Sequence, residues 1–228
     1  LLPQNVNNLI VQNAYVFILA TGMLFCILTG GNIDLSVGSV VCFVGAVGGK
    51  MMVTNEMNPY LSIIVMLLVG LLIGAWQGFW IAYVRIPPFI VTLAGMLVFR
   101  GLSNVVLEGM TLAPMPDNFL ALFNNYIPDF FGMEGFNMTC FLVGVVVCVL
   151  YVFMVLKGRA SRAKKGYRVE PFGGVLIKMI VICAAVLAFM FRLAQYKGIP
   201  NSLVWIVLVI AVYTYIASKT TVGRYLDR

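Results

Sequence analysis

Gly30-Gly31-Asn32-Ile33-Asp34-Leu35-Ser36-Val37-Gly38 separates two hydrophobic stretches, each about as long as a bilayer is deep. The segment holds a carboxylate, two small polar side chains and three glycines. Lipid accepts such a segment only where protein or a water-filled cavity surrounds it. The chain therefore reads as a polytopic membrane protein with a path or pocket near this turn.

Composition supports that reading. Of the 228 residues, 62% are hydrophobic and 10% are charged, whereas a soluble domain carries about 25% charged residues. Mean hydropathy is +1.01. The net charge of +7 comes from 15 Lys and Arg against 8 Asp and Glu. These charges cluster in short loops between apolar stretches, which is how cytoplasmic loops fix orientation, so no nucleic-acid role is expected. With no histidine, His metal sites, His general bases and His proton relays are excluded. Cys26, Cys42, Cys140, Cys148 and Cys183 fall within apolar stretches without a C-x-x-C pair. They read as small hydrophobes, not disulfides or metal ligands. No catalytic pair, metal site or cofactor is expected, and no G-x-x-x-x-G-K-[ST] phosphate loop occurs.

A helix needs roughly 20 apolar residues to cross a hydrocarbon core about 30 Å thick. Residues 9–30, 36–53, 60–84, 88–107, 138–156, 175–195 and 201–218 qualify. The expected fold is all-α, a polytopic integral membrane bundle forming one domain over 1–228. The second stretch is the weakest, because Gly45, Gly48, Gly49 and Lys50 lie inside it. The connection 157–174 carries Lys157, Arg159, Arg162, Lys164, Lys165 and Arg168 against Glu170, and is placed in the cytoplasm. The connection 108–137 carries acids and no Lys or Arg, and is placed outside. By alternation the C-terminus falls inside and the N-terminus outside. Both ends read as cuts through a longer protein. Within 108–137, Pro116-Asp117-Asn118-Phe119-Leu120-Ala121-Leu122-Phe123 reads as a short amphipathic helix.

Asp34 is the outstanding side chain, since a carboxylate at membrane depth costs about 2.5–3.5 kcal/mol unless compensated. Free N–H groups at the start of the next helix would supply compensation. Both a helix cap and a polar transport site fit. Asn32, Asp34 and Ser36, with Phe89 and Thr92 after the Arg85-Ile86-Pro87-Pro88 turn, are the candidates for a substrate path. Gly45 and Gly49, and Gly70, Gly74 and Gly78, have the spacing of close helix packing. Trp76, Gln77 and Trp80 suit a membrane interface. Arg100 needs a partner, with Asp34 and Glu108 as the choices. Gln12, Asn13 and Thr21 suit interhelical hydrogen bonds.

The run Thr29-Gly30-Gly31-Asn32-Ile33-Asp34-Leu35-Ser36-Val37-Gly38-Ser39 resembles the signature of bacterial ATP-binding-cassette importer permeases for monosaccharides. So does Ile86-Pro87-Pro88-Phe89-Ile90-Val91-Thr92-Leu93-Ala94-Gly95-Met96, followed by Phe99-Arg100-Gly101-Leu102. Gly74-Ala75-Trp76-Gln77-Gly78-Phe79-Trp80 and the basic loop are most similar to the multiple-sugar permeases of that group. The resemblance implies roughly ten helices in the whole protein and a multi-pass location in the bacterial inner membrane. It also implies a paired second permease copy, a periplasmic sugar-binding protein and a cytoplasmic ATPase subunit, so the chain itself is no enzyme. By the same resemblance Thr221, Gly223 and Arg224 lie on the ATPase-coupling side. Alternating access is the expected mechanism. The rival is an ion-coupled secondary transporter of small polar solutes, using its own intramembrane acid.

Overall fold

The computed structural model describes residues 2–132, 135–164, 172–220 and 223. The expected Thr221 and Arg224 lie outside the described residues, as does the middle of the basic loop. Eight α-helices are present among the described residues: α1 (Pro3–Leu28), α2 (Val37–Gly49), α3 (Pro59–Ala82), α4 (Pro88–Leu107), α5 (Asp117–Asn124), α6 (Met138–Lys164), α7 (Phe172–Ala194) and α8 (Asn201–Lys219). A π-helical turn, Lys50–Thr54, extends α2. Seven of these segments are long and apolar enough to cross a membrane, one for each stretch expected from hydropathy.

Local sequence explains the boundaries. Pro88 opens α4 where a missing N–H costs nothing, and Arg85, at φ 61°, turns the chain into it. Asn58 caps α3 by accepting the Tyr60 N–H at 2.9 Å, again with proline in the first turn. Gly30 and Gly31, at φ 105° and 77°, take the left-handed conformations that the turn between α1 and α2 requires. The polar side chains of α1 behave differently from expectation. Asn13 donates to Leu9 O and Thr21 to Phe17 and Ile18 O, all within the helix. The preceding carbonyls lie within reach of these short side chains, so no neighbouring helix is needed.

The chain divides into two compact units. One comprises residues 1–13 and 124–204. Its core is Cys140, Leu193, Ala194 and Ile199, covered by Val6, Ile10, Phe136 and Met190. α6 packs on α7, where Gly144 lies against Met190 and the thiols of Cys140 and Cys148 reach the Met190 and Cys183 carbonyls. All five cysteines are free. Asn137 caps α6 by accepting the Cys140 N–H at 2.8 Å, and Asp129 accepts from the Thr139 N–H and hydroxyl. The stretch 125–127 pairs with 199–201 through backbone hydrogen bonds. Lys197 stands 5.5 and 5.6 Å above the rings of Tyr126 and Tyr196. Burial and the neighbouring Tyr196 push the Tyr126 phenol upward.

The other unit comprises residues 14–123 and 205–228. α2 packs against α4 and α3. The expected amphipathic helix is α5, tied to the start of α8 by the Trp205 indole N–H on Leu122 O at 3.1 Å. Phe25 of α1 meets Tyr213 of α8 edge-on at 4.8 Å.

Candidate functional site

The glycine-rich segment folds as a compact turn that delivers Ser36 to the N-cap of α2. Ser36 is fully buried. Its backbone N–H donates to Asp34 Oδ1 at 2.8 Å and its hydroxyl to the same oxygen at 2.6 Å. The hydroxyl proton is thereby committed, so the oxygen serves as acceptor for Gln77 Nε2 at 3.0 Å. Gln77 comes from α3 and is itself buried. Thr92 of α4, 2% exposed, directs its hydroxyl at Pro88 O at 2.9 Å and Ile33 O at 3.2 Å. A Cβ on Gly95 would run into Gln77 Nε2, so only glycine leaves room for the amide. Three helix ends are therefore joined by one hydrogen-bonded knot.

Of the expected path residues, the knot gathers Asp34, Ser36 and Thr92. Asn32 turns back to Thr29, donating to its carbonyl at 3.0 Å. Phe89 points outward and is 56% exposed. Asp34 is half-buried, and its hydrogen bonds from Ser36 both fall on Oδ1. Gln77 and Gly95 are the members that sequence reading missed. The available signal was an amide in the otherwise apolar α3.

The opposite end of α2 carries a different contact. Lys50 Nζ lies 2.7 Å from Glu108 Oε1 and donates to Val106 O at 3.1 Å. Glu108, at φ 53°, caps α4 in the left-handed conformation. The hydrogen bond and charge of Lys50 hold its carboxyl below the usual carboxylate range. Neither expected partner of Arg100 takes that role. Asp34 is engaged by Ser36 and Glu108 by Lys50, and Arg100 stays exposed on α4.

The packing glycines divide as well. A Cβ on Gly49 would meet the Leu112 and Met115 side chains at 3.1 and 3.3 Å, whereas one on Gly45, Gly70, Gly74 or Gly78 would meet nothing within 4 Å. Close helix approach occurs at Gly48 on Met66 and at Gly95. A groove of about 210 Å³ between α3 and α4 is lined by the mostly apolar side chains of Val69, Leu72, Ile73, Trp76 and Phe99. Among the described residues no cluster of three His, Cys, Asp or Glu could hold a metal ion.

Comparison with known proteins supplies the remaining facts. The xylose transport system permease protein XylH of Escherichia coli is 34% identical over 97% of this chain and 54% of its own length. The fructose import permease protein FruG of Bifidobacterium longum is 35% identical over 64% of the chain and 42% of its own length. The ribose import permease protein RbsC of Haemophilus influenzae is 41% identical over 46% of the chain and 32% of its own length. The chain spans about half the length of the xylose relative. No solved structure matches it. Seven membrane-crossing helices and these relatives make it a multi-pass inner-membrane protein. Residues 5–227 match the family described as "Branched-chain amino acid transport system / permease component", and the chain belongs to that family of permeases.

Proposed function

We propose that the chain is the membrane-spanning permease part of an ATP-binding-cassette importer, passing monosaccharides across the inner membrane by alternating access. The likeness to a xylose permease along 97% of the chain carries this reading. ATP hydrolysis falls to a separate cytoplasmic subunit, and a periplasmic binding protein delivers the sugar. Thr221, Gly223 and Arg224 lie on the ATPase side. A second permease copy completes the passage, and the open glycine line Gly70, Gly74 and Gly78 suits close approach by another helix.

Within this reading the Asp34 knot is the joint at the cytoplasmic end of α2, α3 and α4. Ser36 and Thr92 hold the joint, while Asn32, Asp34 and Phe89 border the solute route. A permeant sugar needs transient contacts only, because tight binding would slow its release. The family description favours a second reading, a branched-chain amino acid as cargo.

The test is uptake by vesicles holding the full-length permease with its ATPase and binding protein. ATP-dependent accumulation of labelled xylose, ribose or fructose is expected, without leucine accumulation. Leucine uptake alone would select the second reading. Uptake driven by an ion gradient without ATP would overturn both.

A further inference from the structure

We propose that Cys148 and Cys183 are the two halves of a reversible disulfide site that staples α6 to α7. The site goes beyond the transport reading and holds whatever the cargo is.

Both helices belong to one compact unit, and their register follows from the thiols. Cys140 Sγ lies 3.6 Å from Met190 O, and Cys148 Sγ lies 3.7 Å from Cys183 O. Eight residues along α6, from 140 to 148, thus carry the contact seven residues back along α7, from 190 to 183. Two antiparallel helices in continuous contact require that match. Between these points the helices approach closely. A Cβ on Gly144 would lie 2.8 Å from Met190 Cγ and 2.9 Å from Met190 Cβ.

At position 148 the contact is with a second thiol as well as with a carbonyl. The Cys183 side chain is hydrogen-bonded to that of Cys148. A disulfide joins Cβ atoms about 3.8 Å apart, a spacing reached only by residues that face each other. Cys140 is also buried on α6 but meets a methionine carbonyl, so register singles out the pair, not cysteine content.

Joining the pair breaks two S–H bonds, forms one S–S bond and releases two electrons and two protons. Within an apolar span the acceptor must remove both, because charge left in lipid is costly. A quinone dissolved in the membrane takes them and becomes the quinol. A dithiol reverses the bond by exchange. Cys148 also lines an apolar groove of about 350 Å³ with Val149, Val152, Phe153 and Leu156, which has room for an uncharged ring.

The experiment uses the full-length permease in membrane vesicles, with every cysteine except Cys148 and Cys183 changed to alanine. A specific protease site is inserted between α6 and α7. Vesicles are treated with a short-chain quinone, or with copper phenanthroline and oxygen, then denatured in excess maleimide, cleaved and separated without reductant. The two fragments are expected to stay joined in most chains and to part in dithiothreitol. Cys148→Ala and Cys183→Ala should each abolish the joined species. Shifting one thiol a turn along α6, with Cys148→Ala and Val152→Cys together, should slow joining at least ten-fold. Equal rates at the two positions overturn the facing register. Should the alanine background assemble poorly, wild-type permease carries the measurement, with mass spectrometry identifying the joined peptides. Fragments that part after both oxidants overturn the site, even where sugar uptake is normal. Joining by copper phenanthroline but not by quinone overturns the quinone as acceptor.

Discussion

The two ends of α2 are fastened to α4 by opposite chemistry. At one end, Ser36 sits in a buried knot with Asp34 and Gln77, while Thr92 binds the turn beside it. At the other, Lys50 and Glu108 form an ion pair whose side chains are 36% and 62% exposed. Ser36, Gln77 and Thr92 are buried, where a polar group has few alternative partners, so their geometry is exacting and salt reaches it little. An exposed pair trades its contact for water at little cost and is screened by ions. The knot is built to stay shut and the ion pair can release. A transporter needs that asymmetry if one end of a helix pair opens while the other holds.

The largest blow to this contrast should come from Gly95→Val. The added carbons would drive into the Gln77 amide, and overpacking of this kind costs about 1–3 kcal/mol. A lowered melting temperature and poor yield of purified permease are expected; unchanged melting would mean that the α3–α4 approach is loose.

Next in size is Ser36→Ala, which strands the Gln77 amide and removes one of the two hydrogen bonds on Asp34 Oδ1, at a cost of about 1–3 kcal/mol. Gln77→Leu combined with it should recover part of the loss, because the orphan is gone. A double-mutant cycle should return a coupling of about 0.6 kcal/mol and no more than about 1.7 kcal/mol. Strict additivity would dissolve the knot as a unit.

Asp34→Ala separates holding from passing solute. The full-length complex is expected to assemble with its ATPase while sugar uptake is lost. Normal uptake would remove Asp34 from the route.

The smallest effect belongs to Glu108→Gln at the exposed end, below that of Ser36→Ala and erased by molar salt. Its pH dependence has a definite sign. Lys50 lowers the folded carboxyl below its unfolded value, so the stabilisation is complete above the ordinary carboxylate range. It is lost as pH falls through the lowered folded value. Melting curves of wild type and variant should therefore differ near neutrality and converge in acid; a gap that widens in acid would contradict the pairing.

Much of the scaffold was legible without coordinates. Hydropathy averages over some twenty residues, so seven spans emerge despite single polar exceptions. The span 88–107 coincides with α4 because Pro87-Pro88 fixes its start. Ends lacking such punctuation moved. α1 begins at Pro3 rather than 9, and α6 runs to Lys164 rather than 156, since Lys and Arg continue a helix into water without penalty. Asp34 and Ser36 stood out as a polar break in an apolar context. Gln77 did not, because its partner lies 41 residues away. The Lys50–Glu108 pair spans 58 residues and takes one of the two partners expected for Arg100.

Sequence by itself determined the membrane class, the number of crossings and the location of the polar break, because burial in lipid acts residue by residue on composition. Tertiary structure alone decided which polar groups satisfy one another and which stay open. Hydrogen bonds and ion pairs form between near neighbours in space, and for helices joined by long spans that proximity is set by packing, not by order along the chain.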